Sequence, residues 1–242
     1  MLFSRIRQFY FNLSIAKKMY LFYAFSSLIP ILTLAFVSYK ISSENLVEKA
    51  IVNSVQQLNM VARNLETMLS KMEQAANLIV AYEDVQNLGK YDALTPNEKV
   101  VYEQSINYFF DLVNKPENLI SSGVIYSTSG TVIGTASVNM ATARSHAIMP
   151  DNPSPIFSDI SGNYRWEDIH PIEHEYSSPR GISLNKKIIN GTTGEVLGYL
   201  VLNVNAKTIY ANYLGTSYGR NGYYLLANRN GEIVSAEDSR SV

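Results

Sequence analysis

Five consecutive residues, His170-Pro171-Ile172-Glu173-His174, spell H-x-x-E-H. On a helix that spacing turns two imidazoles toward one zinc ion and sets the carboxylate beside the metal-bound water, the arrangement of metal-assisted peptide hydrolysis. The neighbours argue against the helix. Proline follows the first histidine directly, Pro179 lies just beyond, and turn residues crowd the interval. The segment reads as polar loop near a pocket mouth, and neither a catalytic group nor a metal site is assigned to it.

A better constellation is Tyr164, Arg165, Trp166, Asp168, Tyr176 and Arg180. The aromatic rings supply an apolar wall. The guanidinium groups and the carboxylate supply charged hydrogen bonds that fix orientation. A small polar ligand or a sugar suits such a lining. Tyr126 and Asn203 lie on neighbouring strand segments and could face the same cavity. The competing reading has Trp166 capping a sheet and Arg165 and Arg180 solvated.

Most of these groups fall in residues 138–179, rich in Pro, Asn, Ser and Asp, which reads as one long irregular stretch. A loop of that length inside a compact domain usually carries function. Strand signals flank it. Residues 119–126 and 131–137 are β-rich runs joined by Ser127-Thr128-Ser129-Gly130. Residues 181–189 and 196–205 are joined by Asn190-Gly191-Thr192-Thr193-Gly194. Residues 206–214 read as a short helix. A last hairpin pairs 222–226 with 232–235 around Asn228-Arg229-Asn230-Gly231.

Helices precede the strands. Thr95-Pro96-Asn97-Glu98 is a capping box with proline at the first helical position, and Pro116 ends that helix. Between residues 40 and 88 there is no proline and no glycine. Ile51, Val55, Leu58, Ala62, Leu65, Leu69, Met72, Ala76 and Ile79 alternate four and three apart, a heptad stripe. Val61, Met68 and Ala75 widen it, so the helix also leans on a folded domain.

Residues 19–39, MYLFYAFSSLIPILTLAFVSY, carry no charge and are long enough to span a bilayer. Arg5, Arg7, Lys17 and Lys18 precede them without an acidic residue, whereas Lys40 and Lys49 are balanced by Glu44 and Glu48. The positive-inside bias puts the N-terminus in the cytoplasm and residues 40–242 outside, on a single-pass anchor in the cell membrane. A cleaved signal peptide would have a shorter apolar run. The net charge of −1 offers no basic patch for nucleic acid, and the lack of cysteine removes disulfides and thiolate sites.

The order of these pieces resembles the N-terminal half of bacterial membrane sensors with a double Cache (dCache) ectodomain, nearest to the YesM-type sensor histidine kinases. SIAKKMYLFYAFSSLIP is similar to that family's entry into its first membrane helix. GVIYSTSGTVIGTAS, a loop with a tryptophan, GISLNKKIINGTTGEVLGYLVLNVNAKTIY and GYYLLANRNGEIVSAED follow in the family's order. The resemblance implies an α+β chain: a transmembrane helix continuing into a long helix, then a PAS-like (Cache) antiparallel sheet domain and the start of a second one. The implied bounds are a cytoplasmic lead 1–18, a membrane helix 19–39, a long extracellular helix 40–88, a membrane-distal unit 89–215 and an incomplete membrane-proximal unit 216–242.

The same resemblance implies a sensor that binds a small ligand and relays it across the membrane as a homodimer, with the bilayer as partner and no cofactor. A response regulator would be reached only through a kinase part, of which this sequence carries no phosphoacceptor region or nucleotide box, so the chain itself is not expected to be an enzyme. Chemoreceptors and cyclic-dinucleotide synthases share the ectodomain type and are the alternative outputs. The amino-acid-binding subgroup has an arginine, aromatic and aspartate signature. Tyr164-Arg165-Trp166 only approximates it, and Asn203 stands where an acidic residue is expected, so an amino acid ligand is not supported.

Overall fold

The computed structural model describes residues 14–116, 118–145, 160, 164–173, 175–176, 179–211, 226–227, 231 and 233–235. The lead before residue 14, the far ends of the short helix and of the last hairpin, and His174 lie outside them.

Helix α1, Ile15–Ala81, is one continuous α-helix of 67 residues with Pro30 inside it. Within it the hydroxyls of Ser27 and Thr33 donate to the carbonyls of Ala24 and Ile29 one turn back, the local way a helix in lipid satisfies polar side chains. Phe22, Phe25, Leu28, Ile31, Leu34 and Phe36 are all exposed. Among the described residues this is the one helix long and apolar enough to cross a membrane.

The heptad stripe divides near residue 60. Ile51, Val55, Leu58 and Ala62 are exposed, Leu65 and Leu69 are half-buried, and Met72, Ala76 and Ile79 are buried together with Val61 and Met68 of the widened face. The helix also stops earlier than residue 88. Tyr82 turns extended (ψ 136°). Its ring stacks on Phe109 at 4.1 Å and its hydroxyl bonds Ser105 at 2.7 Å, so a tertiary contact ends a helix that no glycine or proline ends. A short α2, Glu83–Gln86, and a 3₁₀ turn, Leu88–Ala93, follow.

Helix α3, Pro96–Asn114, starts at the expected capping box: the Glu98 amide donates to Thr95 Oγ1, and Glu98 Oε2 accepts from the Thr95 amide at 2.8 Å. Then come β1 Ser122–Ser127, β2 Val132–Gly134 and α4 Met140–Ser145. Strands β3 Tyr164–Pro171, β4 Arg180–Ile189 and β5 Val196–Asn205 complete one sheet, and α5, Ala206–Ile209, follows it. Strands β6 Leu226–Ala227 and β7 Ile233–Ser235 pair separately.

The main sheet has five strands in the order β2-β1-β5-β4-β3, every neighbour antiparallel. The β4–β5 turn is built from its own side chains: Asn190 Oδ1 accepts from the Thr192 and Thr193 amides, and Gly194 takes φ +76°. The stretch read as wholly irregular therefore contains a helix and an edge strand, β3. Alternation hides β3 in the sequence because polar and aromatic side chains fall on both of its faces.

Side chains alternate across the sheet. Ile125, Ile133, Leu184, Ile188, Leu200, Leu202 and Val204 join Met68, Met72, Ala76 and Ile79 of α1 and Ile106 and Phe110 of α3 in the main core. Gly123 is required there, since a Cβ would lie 2.3 Å from Phe110 Cε1. The opposite face carries a smaller cluster: Val124, Tyr126, Val132, Val138, Ala143, Ile160 and Val201.

Candidate functional site

On the face away from α1 and α3, register sets polar residues in a row. Ser122 of β1 pairs with Asn203 of β5, Asn203 pairs with Ser183 of β4, and Ser183 pairs with Glu167 of β3. Ser122, Ser183 and Asn203 are all buried. Glu175, from the connection after β3, closes one end of the row. It is 8% exposed, and its Oε1 accepts from Ser121 Oγ at 2.7 Å and Ser122 Oγ at 2.6 Å.

The direction of every bond follows from that carboxylate. The Ser122 hydrogen is committed to Glu175, so the Ser122 oxygen accepts from Asn203 Nδ2 at 2.8 Å. Asn203 Oδ1 then receives the Ser183 hydrogen. The Ser183 oxygen is left to accept from His170 Nε2, 3.1 Å away. His170 Nδ1 faces the Asp168 carbonyl at 2.8 Å, and Glu167 Oε2 lies 3.8 Å from Nε2. The ring thus faces an oxygen atom at each nitrogen.

One residue row along, Asn185 pairs with Val201 on one side and Arg165 on the other. Asn185 is 0% exposed, and neither its Oδ1 nor its Nδ2 has a hydrogen-bond partner. A buried amide with both ends open is costly, and such groups are rare in native proteins. In the next row Tyr126 pairs with Tyr199. Burial pushes the Tyr126 phenol up to about 12.

The candidates read from sequence do not form one cluster. Tyr126, Asn203 and Arg165 belong to the polar-row face by register. Tyr164 and Trp166 alternate with Arg165 and face the other way. Trp166 Nε1 donates to Glu73 Oε1 of α1 at 3.0 Å, and Trp166 packs against the main core. Glu73 also raises the Tyr164 phenol above its ordinary value by accepting its hydrogen bond. Asp168 is exposed, sits in the register shift between Glu167 and His170, and accepts from the Ile169 amide at 2.8 Å. Tyr176 is 76% exposed, and Arg180 is exposed opposite Pro171.

Sequence reasoning missed Ser122, Glu175, Ser183 and Asn185. The usable signal was alternation: Ser183 and Asn185 alternate with Ile182 and Leu184. The H-x-x-E-H string is not helical where described. His170 and Pro171 end β3, Ile172 is buried and Glu173 lies in a turn. Among the described residues no three His, Asp or Glu side chains gather as a metal site. A cleft of about 270 Å³ opens between Met72, Ala75 and Leu78 of α1 and Val113, Leu119 and Ile120, and none of the sequence-derived candidates lines it.

The long helix laid on one face of a five-stranded antiparallel sheet is an α+β fold that this chain shares with solved Cache/PAS-like sensor domains. The sensory domain of the Campylobacter jejuni chemoreceptor Tlp3 with isoleucine bound shares the fold. Its TM-score is 0.54 at 14% identity, covering 81% of this chain and 74% of that one. The extracellular domain assigned to a histidine kinase, vpHK1S-Z8, gives a TM-score of 0.59 at 14% identity, covering 81% and 71%. A domain assigned to a sensory box/GGDEF family protein of Vibrio parahaemolyticus gives 0.55 at 14%, covering 77% and 71%. No family model matches the sequence, and no curated protein matches it significantly.

Proposed function

We propose that this chain is the sensory and anchoring portion of a bacterial signalling protein, with the polar face of the sheet as the seat of a small ligand. The observation that carries this reading is Asn185, a fully buried amide with both hydrogen-bonding ends open beside the ordered row through Asn203. A ligand offering both a donor and an acceptor would satisfy it. Arg165 is its register partner and supplies orientation, and Tyr126, on the same face two strands away, supplies an apolar wall. The isoleucine-bound chemoreceptor domain and the histidine-kinase extracellular domain that share the fold support a sensory role. Asp168, Tyr176 and Arg180 are rim residues in this scheme, while Tyr164 and Trp166 act from behind the strand.

The apolar segment at residues 19–39 anchors the chain, with residues 40–242 outside the cell. The exposed stripe at Ile51, Val55 and Leu58 suits a second copy of the same helix, giving a homodimer. The output is a histidine kinase of the YesM type; a chemoreceptor or cyclic-dinucleotide synthase is the second reading, because sensory domains assigned to both share the fold. The site is tested by thermal shift of the full chain in detergent micelles against a panel of amino acids, sugars, nucleobases and organic acids. At least one compound should raise the midpoint, and Asn203→Leu should abolish that rise. A rise that persists unchanged in Asn203→Leu places the ligand elsewhere.

A further inference from the structure

Strand β3 touches both layers of the molecule through neighbouring residues. Glu167 lies in the polar row opposite Ser183, and His170 bonds Ser183 directly. Trp166, one residue from Glu167, holds Glu73 of α1 on the other side, and Tyr164 bonds the same carboxylate. An indole or phenol donating to a carboxylate makes a charge-assisted bond, stronger than a neutral one. Lys186, paired with Tyr164 and only 4% exposed, sits with its amine 5.9 Å from the Tyr164 ring centre. Burial lowers its affinity for a proton, and the Glu73 charge works in the opposite direction.

Position makes the strand adjustable. Among the described residues it is an edge strand with β4 as its ladder partner, and its register shifts between Glu167 and His170. Bulged edge strands are where a sheet re-aims its side chains. Glu73, by contrast, lies between the buried Met72 and Ala76, so that turn of α1 is gripped by the core.

We propose that β3 is a two-sided relay strand: a change in the polar row shifts its backbone, and Trp166 and Tyr164 deliver that shift to Glu73 on α1. Glu73, Tyr164 and Trp166 are positioning residues in this device, and α1 is the helix that also carries the apolar segment. The relay rests on the polar face being the ligand face, but its test needs no ligand.

Trp166 is the only tryptophan in the chain, so intrinsic emission reports this one bond. The full chain in detergent micelles is compared with Glu73→Ala, Glu73→Gln, Ser183→Ala and Ser183→Thr. Glu73→Ala should shift the emission to the red and raise acrylamide quenching, whereas Glu73→Gln, which keeps an acceptor oxygen, should stay near wild type. Ser183→Ala, which touches only the opposite face, should shift the emission in the same sense, and Ser183→Thr should restore it. In the Glu73→Ala background Ser183→Ala should add nothing. Unchanged emission in Ser183→Ala, or its full shift added on top of Glu73→Ala, overturns the relay. If Ser183→Ala does not fold, His170→Gln cuts the same bond from the β3 side and is read in the same way. A silent thermal-shift panel would count against the ligand site without touching this result.

Discussion

The two faces of the main sheet come from the same strands and are packed by opposite rules. Toward α1 and α3 the contacts are apolar and closely fitted: Phe110 presses on Gly123, and Leu184, Leu200 and Leu202 are fully buried. On the other face a hydrogen-bonded row runs from Glu175 to His170, and one amide is left open. Apolar packing is non-directional and tolerates neighbours of similar shape, whereas a buried polar row holds only while every member is paired. One face is therefore built for stability, and the other retains groups that cost stability unless something pairs with them.

The difference is broken most strongly from the helix face. Phe110→Ala should destabilise by about 3–5 kcal/mol, the usual loss for a buried aromatic ring. Gly123→Ala should also destabilise, and the smaller Phe110→Leu should partly rescue it, because the clash is with the ring. Urea unfolding of the single and double variants measures both. On the polar face Asn203→Ala strands two serine hydroxyls and should cost about 1–3 kcal/mol by the same measurement.

Asn185→Leu sharpens the contrast because its sign is reversed. Replacing an unpaired buried amide with an apolar side chain of similar size should raise the thermal midpoint of the unliganded chain, by roughly 1 kcal/mol in stability. A lowered midpoint would mean that the amide is structural. A further effect is confined to alkaline pH. Tyr126 loses its proton near 12 when folded and near its ordinary value of about 10 when unfolded. Across that window the unfolded chain binds fewer protons, so its contribution to stability is full below about 10 and is lost as pH rises toward about 12. Tyr126→Phe should flatten the alkaline slope of the unfolding midpoint.

The parts of the fold set by local chemistry were legible in the sequence. The box at Thr95 and Glu98 fixes the start of α3, and the strand run after the Asn190–Gly194 turn gives β5 its observed bounds. Where long-range contact decides, the sequence is silent: nothing near Tyr82 announces that Phe109 will end α1 there. The site was half legible for a related reason. Tyr164, Arg165 and Trp166 are adjacent in sequence, and adjacency alone suggests a shared lining. Once the segment is a strand, adjacency means opposite faces. Glu175 could not be placed at all, because only the chain's return past β1 brings it to Ser121 and Ser122.

Both margins of the main sheet are poor templates for a neighbour. Strand β2 is three residues long, and β3 loses register partway along and ends in proline. Another polypeptide seeking to extend the ladder finds too few consecutive free amides and carbonyls at either side. Copies of this chain at high concentration are thus kept from joining edge to edge through this sheet.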